Sequence, residues 1–251
     1  MERQIYDRMA DHDERHWWYT ARRRILEQLI RRNVRPPANA RILEVGCGTG
    51  HSLPMLRRFG EVEAVEIDPS SRVKAEQRLG KPVHDSPLPE LPGLEAGAFD
   101  LICVLDVIEH IADDRAALDA LAARLKPGGK LLMTVPAHQW MWSSHDVANH
   151  HHRRYSRATL LALLTNSPLK LEQIGFFNSL LFPLAVASRF AGKLRGKDGS
   201  DDALPPRPVN ALFAAVFAAE RHLVGRISLT PGLSLFAIAS APAADSGANA
   251  T

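Results

Sequence analysis

The stretch 42–50, Ile-Leu-Glu-Val-Gly-Cys-Gly-Thr-Gly, constrains the fold of this chain more than any other segment. It reads as an apolar β-strand that ends in a glycine-rich turn, and Glu66 follows about one βα unit later. Glycine has no Cβ and lets a ligand approach the backbone closely. A carboxylate at the end of the next strand accepts hydrogen bonds from ribose hydroxyls. The combination predicts an α/β fold that binds a nucleoside.

The spacing of the glycines indicates which nucleoside fits. The dinucleotide fingerprint is Gly-x-Gly-x-x-Gly, but His51 stands where its third glycine would be. The glycines instead run Gly46-x-Gly48-x-Gly50, and Glu44 comes two residues before them. A pyrophosphate cofactor is therefore disfavoured, and a nicotinamide-dependent oxidoreductase is kept only as an alternative.

At this motif the chain resembles the class I S-adenosyl-L-methionine (SAM) methyltransferases, of the type 11 and ubiquinone-menaquinone biosynthesis kind. Three later segments, 83–89, 99–111 and 125–136, are similar to further motifs of that family and come in the same order. The resemblance implies that SAM is the cofactor and that methyl transfer is the reaction. A catalytically inactive SAM-binding accessory protein is the alternative on the same fold.

The resemblance also implies which residues contact the cofactor. Glu44 and the glycine turn are expected at the methionine portion, Glu66 at the ribose, Asp85 at the adenine, and Leu105 with Asp106 at the open face. The full expected set is Glu44, Gly46, Cys47, Gly48, Thr49, Gly50, Glu66, Ile67, Asp85, Ser86, Leu105, Asp106 and His110. His110 is similar to a histidine common at this position in quinone-pathway methyltransferases.

A loop after the segment 125–136 is dense in aromatic, imidazole and guanidinium groups. Loops at this end of an α/β sheet line substrate sites. His145 and His138 are the candidate general bases, because imidazole titrates near neutral pH. Acceptor contacts are expected from this loop and from an aromatic segment before the first strand, at Trp17, Trp18, Tyr19, Trp142, Arg153, Arg154 and Tyr155.

The same loop raises a metal hypothesis, because His145, Asp146 and the histidines at 150–152 are suitable ligand types. Their spacing matches no closed metal site, and no second cluster with ligand spacing accompanies them. The sequence analysis therefore expects no metal.

Apolar runs alternate with helical windows along the middle of the chain, which indicates βαβ units. With the resemblance, this predicts a Rossmann-like, doubly wound, seven-stranded and mostly parallel sheet whose last strand is antiparallel. The expected domains are an N-terminal helical lid (1–39), a SAM-binding core (40–177), a helical insert (178–226), and the last strand with a flexible tail (227–251).

The insert contains two apolar stretches where the family has a tight hairpin. Packing on the core is the simplest explanation, since apolar helix faces are usually buried. The alternative is that the insert presents a hydrophobic surface, which either lines a hydrophobic acceptor site or makes peripheral contact with a membrane.

Net charge and cysteine content indicate which partners and which cellular compartment to expect. A net charge of +3 is mild, and nucleic-acid binding usually needs a concentrated basic face, so no nucleic-acid partner is expected. Two cysteines without a disulfide framework fit a reducing, cytoplasmic compartment. The expected acceptor is a small or amphipathic molecule, which could be lipid-linked, quinone-like or a glycan intermediate, with oxygen favoured over carbon as the methylated atom.

Overall fold

The chain folds around one mixed β-sheet, which the computed structural model describes over residues 10–194 and 204–243. The strands are β1 (Ala40–Val45), β2 (Gly60–Val65), β3 (Phe99–Leu105), β4 (Leu125–Pro136), β5 (Lys170–Phe177) and β6 (Ser234–Ser240). Their order is β2-β1-β3-β4-β6-β5. The first four run parallel, and β6 is antiparallel to both of its neighbours. The doubly wound sheet with an antiparallel last strand is thereby confirmed.

The strand count differs from the expected seven, since the described residues form six. In place of the seventh strand, His84 makes one isolated parallel bridge to Val65 at the β2 edge. Pro82 and Pro87 flank this residue. Proline has no N–H to donate to a ladder, which explains why pairing does not extend beyond one residue.

Helices cover both faces of the sheet. They are α1 (Trp17–Leu29), α2 (Leu53–Leu56), α3 (Pro69–Leu79), α4 (Asp114–Arg124), α5 (Ser144–Ala148), α6 (Arg157–Thr165), α7 (Phe182–Leu194) and α8 (Arg207–Ala219). A π-helical turn, Ile30–Val34, continues α1. The start of α3 shows how the sequence sets a boundary, because Asp68 accepts a hydrogen bond from the Ser71 amide at 2.8 Å and Pro69 follows it at the first helical position.

Two hydrophobic cores lie on opposite faces of the sheet. Helices α1, α2, α3 and α8 contribute to one core, and α4 and α6 contribute to the other. Strand β1 supplies both, with Ile42 in the first core and Leu43 and Val45 in the second. Because alternate side chains point to opposite faces and both faces are buried, the strand reads as a continuous apolar run.

Helices α7 and α8 lie in the insert, as expected for the two apolar stretches. Helix α8 packs on α1, where the Trp17 ring meets the rings of Phe213 and Phe217 at 5.6 and 5.8 Å. Leu184 of α7 and Leu212 of α8 remain more than half exposed. Among the described residues, no helix has the length and apolar character needed to cross a membrane.

Some expectations fall outside the described residues. The joining loop of the insert between 194 and 204, the first nine residues of the N-terminal segment and the tail beyond 243 belong to these. The boundaries proposed for the domains stay predictions.

Candidate functional site

The glycine turn lies at the carboxyl end of β1 and is fixed by the neighbouring strand. The amides of Gly46 and Cys47 both donate to the carbonyl oxygen of Val65, at 2.9 and 3.0 Å. A Cβ added at Gly46 would lie 2.6 Å from a methyl carbon of Val107. At Gly50, where φ is +80°, a Cβ would lie 2.9 Å from the Cα of Ala75. The turn therefore excludes side chains and leaves its backbone accessible.

Glu44 is the penultimate residue of β1, and one oxygen of its buried carboxyl group has no partner in the described part of the chain. The Ser52 hydroxyl donates to Oε1, whereas Oε2 has no hydrogen-bond partner among the described residues. Burial raises the pKa of Glu44 to about 7, against the lowering effect of the Ser52 hydrogen bond. A buried acceptor without a donor is costly. The free oxygen can therefore accept from a bound ligand, such as the ammonium group of a methionine moiety.

Glu66 follows β2 and faces the same turn. Its Oε2 accepts from the Gly48 amide at 2.7 Å, and its Oε1 accepts from the Asp68 amide at 2.8 Å. Burial raises the pKa of Glu66, and these two amides counteract that rise. Both oxygens of Glu66 thus accept from backbone amides, which fix the carboxylate beside the glycine turn, and its contact with a ribose stays a prediction.

Ile67, Asp85 and Ser86, three further residues expected to contact the cofactor, differ in their exposure and in their polar partners. Ile67 is 57% exposed and presents an apolar surface next to Glu66. Asp85 is exposed and pairs with Arg72 at 3.1 Å. The Ser86 hydroxyl donates to the Pro92 carbonyl oxygen at 2.6 Å and so stabilises its own loop. The unpartnered Glu44 oxygen, the cleared glycine backbone and this apolar surface fit an adenosyl ligand with a polar tail.

Arg22 joins α1 to the ends of β3 and β4, a contact that sequence reasoning missed. Its Nη2 lies 2.7 Å from Asp106 Oδ2 and donates to Thr134 Oγ1 at 2.7 Å. The Thr134 hydroxyl in turn donates to Asp106 Oδ1 at 3.1 Å. Asp106 adopts a φ of +58°, an uncommon conformation for a residue with a side chain. The network fixes Asp106 directly after Leu105, which is buried at the end of β3.

A second missed network joins the N-terminal segment to the glycine turn. Asp13 is fully buried and accepts from the Thr49 hydroxyl at 2.5 Å. Arg78 of α3 donates to both of its oxygens, at 2.6 and 3.0 Å. Burial acts to raise the pKa of Asp13, but the hydrogen bonds from Arg78 and Thr49 bring it below its usual value. The charged pair anchors the segment that leads into α1.

The aromatic residues at the start of α1 have different neighbours. Trp17 packs on α8, as described, and the Arg22 guanidinium lies 4.8 Å from the centre of the Trp18 ring. The Tyr19 ring lies 5.2 Å, centre to centre, from the half-buried ring of His51. Burial lowers the pKa of His51 to about 3, so the ring is neutral at neutral pH. These contacts show a packing role, and acceptor contact stays a prediction.

In the loop after β4, protein carboxylates already pair with both arginines. Arg153 Nη1 lies 2.6 Å from Asp114 Oδ2, which also accepts from the Tyr155 hydroxyl at 2.7 Å. Arg154 Nε donates to Asp146 Oδ1 at 2.7 Å. The three side chains anchor the loop, and their role toward an acceptor stays a prediction.

The two candidate bases lie in different surroundings. His138 donates from Nε2 to the Gly232 carbonyl oxygen at 3.0 Å and stacks on Phe176 at 5.5 Å. Burial lowers its pKa. His145 belongs to α5 and lies 6.4 Å, ring to ring, from His151. Trp142 is half-buried just before α5. The role of either histidine as a general base stays a prediction.

The structure brings His151 close to Glu109 and His110, two consecutive residues that lie much earlier in the sequence. Potential ligand atoms of Glu109, His110 and His151 all lie within 4.8 Å of one another. Glu109 is fully buried, and neither carboxylate oxygen has a hydrogen-bond partner among the described residues. Burial, followed by repulsion from His151, lowers the pKa of His110 to about 3 and keeps its ring neutral.

The chain is similar to known methyltransferases in sequence. The family described as a methyltransferase domain matches residues 17–174. A ubiquinone biosynthesis O-methyltransferase of Xanthomonas axonopodis pv. citri (strain 306) is 29% identical over an alignment of 163 residues, and the match covers 55% of this chain. The chain spans 66% of the length of that relative.

Solved structures show the same fold. The [4+2]-cyclase SpnF superposes with a TM-score of 0.62 at 19% identity, covering 96% of this chain and 95% of that one. The phosphoethanolamine N-methyltransferase 2 of Haemonchus contortus, in complex with SAM, superposes with a TM-score of 0.55 at 17% identity, covering 87% and 52%. At these identities the likeness establishes the fold and leaves the chemistry to the site.

Proposed function

The chain belongs to the methyltransferase-domain family, and we propose that it transfers the methyl group of SAM to an oxygen atom of a small or amphipathic acceptor. The observation that carries this proposal is the unpartnered, buried Oε2 of Glu44 beside a glycine turn that excludes side chains. Glu66 at the end of the next strand supplies a second carboxylate, for the ribose.

In this reaction the protein itself forms no covalent bond with the substrates. Bound SAM supplies a methyl group on a positively charged sulfur, which leaves as a neutral thioether when an acceptor lone pair forms the new O–C bond and the hydroxyl proton passes to a base. The chain must align the acceptor behind the methyl group and receive that proton. His145 is the proposed base, because it lies in the segment that follows β4. This segment starts at the same edge of the sheet as Glu44, near the end of β1, and Glu66, directly after β2.

Two observations favour an amphipathic acceptor. The relative in Xanthomonas is named for O-methylation in ubiquinone biosynthesis, which supports a quinone-like phenol. The insert also exposes large apolar side chains on both of its helices, including Leu184 and Phe190 of α7 and Val209 and Leu212 of α8. Such a surface suits an acceptor with an apolar tail, or contact with the membrane that contains it.

The direct test is turnover of methyl-labelled SAM with two catechol acceptors, one with an isoprenoid tail and one without. Labelled ether should form, with a higher kcat/KM for the tailed acceptor. Glu66→Ala should lower turnover at limiting SAM, whereas exchange of the exposed Glu90 for glutamine is a matched control that should not. SAM binding without transfer to any acceptor would instead indicate the accessory-protein alternative.

Membrane contact by the insert is tested separately, by flotation of the full chain with anionic liposomes. The protein should float, and Leu212→Asp should reduce flotation because it places a charge on the exposed apolar surface of α8. Val73→Asp is the control, since Val73 is similarly exposed but lies on α3, outside the insert. Absence of flotation by the unmodified protein would refute the membrane contact.

A further inference from the structure

The cluster of Glu109, His110 and His151 has the composition of a metal site. It offers two imidazole nitrogens and one carboxylate oxygen, all within 4.8 Å of one another. Two histidines with one acidic residue form open sites for zinc and for other divalent first-row metals. The centres of the two rings are 4.5 Å apart, and the rings are nearly perpendicular, at 80°.

Glu109 is the least explained group of the cluster if no cation binds there. Its side chain is fully buried, and neither oxygen has a hydrogen-bond partner among the described residues. Buried carboxylates are normally paired, hydrogen-bonded or coordinated to a metal. Glu109 also contributes through its backbone, because its carbonyl oxygen accepts from the His152 amide at 2.8 Å and so joins the two ligand-bearing loops.

His151 is oriented as metal-bound histidines usually are. Its Nδ1 lies 2.9 Å from Asp146 Oδ1, and a carboxylate oxygen can only accept, so His151 donates from Nδ1. This tautomer leaves Nε2 with a free lone pair. Carboxylates that accept from the second ring nitrogen orient histidine ligands and raise their basicity. Asp146 is itself fixed by Arg154 Nε and by the Ser143 amide, at 2.7 and 2.9 Å.

We propose that Glu109, His110 and His151 bind a divalent transition-metal cation, and that its open coordination position receives the hydroxyl oxygen of the methyl acceptor. Three protein ligands leave at least one of the four positions of a zinc-like ion free. His110 follows β3 and His151 lies in the loop after β4, so the cation would lie at the sheet edge where the proposed SAM residues end. A metal-bound hydroxyl loses its proton more easily. The acceptor role rests on the proposed function, whereas the metal site itself does not.

The metal site is tested with the full chain by titration with Co²⁺, followed by displacement with Zn²⁺. Bound cobalt should give visible d–d absorption that zinc removes, and zinc should raise the Tm. Glu109→Gln and His151→Ala should weaken binding by more than the roughly 10–100-fold that follows loss of an outer hydrogen-bond partner. His152→Ala removes the adjacent, exposed histidine and should leave binding unchanged.

Glu109→Gln guards against loss of folding as an explanation. It keeps the shape of the side chain and removes only a buried, unpaired acid, so the metal-free variant should melt at or above the Tm of the unmodified protein. Retention of normal cobalt binding by folded Glu109→Gln, or no cobalt absorption by the unmodified chain, overturns the site.

The acceptor role has its own readout. Removal of zinc by a chelator should lower turnover while the calorimetric Kd for S-adenosylhomocysteine stays unchanged. Zinc binding together with zinc-independent turnover would overturn the acceptor role and keep the site. Zinc binding in a protein that transfers no methyl group would refute the proposed function and also keep the site.

Discussion

Replacement of Glu44 by glutamine should stabilise the cofactor-free protein and weaken its binding of SAM. Burial raises the pKa of Glu44 from an ordinary value of 4.5 to about 7. In the pH range between those values the folded state binds more protons than the unfolded state, so stability falls as pH rises, and the cost is complete above pH 7. The difference of about 2.5 in pKa, at about 1.4 kcal/mol for each pKa unit, corresponds to about 3–3.5 kcal/mol.

Glutamine keeps an oxygen that can accept from the Ser52 hydroxyl but carries no charge, so it removes this cost. Urea unfolding without cofactor should therefore give Glu44→Gln a larger free energy of unfolding at pH 8, by up to about 3–3.5 kcal/mol, and a much smaller advantage at pH 5. Calorimetry should show SAM binding weakened roughly 10–100-fold, because a charged acceptor has been lost.

The exposed Glu90 provides the control, since Glu90→Gln removes a carboxylate that is already solvated. Its free energy of unfolding should follow that of the unmodified protein at both pH values. The reasoning would be refuted if the free energy of unfolding of Glu44→Gln differed from that of the unmodified protein by the same amount at pH 5 and at pH 8. It would also be refuted if Glu44→Gln were the less stable of the two proteins at pH 8.

Three further substitutions probe the remaining parts of the site. Glu66→Ala should raise the Kd for SAM by roughly 10–100-fold with kcat at saturation nearly unchanged, and an unchanged calorimetric Kd would remove Glu66 from the ribose site. Asp13→Ala removes the buried carboxylate that pairs with Arg78 and should cost about 3–5 kcal/mol in urea unfolding; a loss below about 1 kcal/mol would contradict the anchoring role. His145→Ala should lower kcat by about 10²–10⁴-fold with SAM affinity intact, whereas full activity would transfer the role of base to His138.

The glycine turn could be predicted from sequence because its requirements are local. Gly46 and Gly50 are needed by the backbone conformation and by the close approach of Val107 and Ala75. A buried strand, a turn without side chains and an acid after the next strand leave a readable pattern within one βα unit. This stretch and the three later segments that resemble motifs of the same family together predict the family and the fold.

The networks around the turn could not be predicted, because they join residues that are far apart in the chain. Arg22 contacts Thr134 across 112 positions, and Arg78 contacts Asp13 across 65. Nothing in the sequence marks Arg22 among the three arginines at 22–24. Side-chain networks of this kind depend on how α1 and α3 meet the strand ends, and periodicity carries no information on that.

The potential metal ligands are a second case in which contacts between distant parts of the chain could not be predicted from sequence. The histidines around 150 form one local run, and its spacing predicts no metal site. The structure selects His151 from that run and places it beside Glu109 and His110, which follow β3. A ligand set divided between two loops has no spacing signature, and only the sheet order brings the loops together.

The central claim, that the edge of the sheet beyond β1 and β2 binds SAM, is tested most directly by calorimetric titration of the purified chain with S-adenosylhomocysteine and, in parallel, with NADH. The account predicts one-to-one binding of S-adenosylhomocysteine that weakens in both Glu44→Gln and Glu66→Ala, and no heat from NADH. Binding of NADH without binding of S-adenosylhomocysteine, or unaltered S-adenosylhomocysteine binding in both variants, would contradict it.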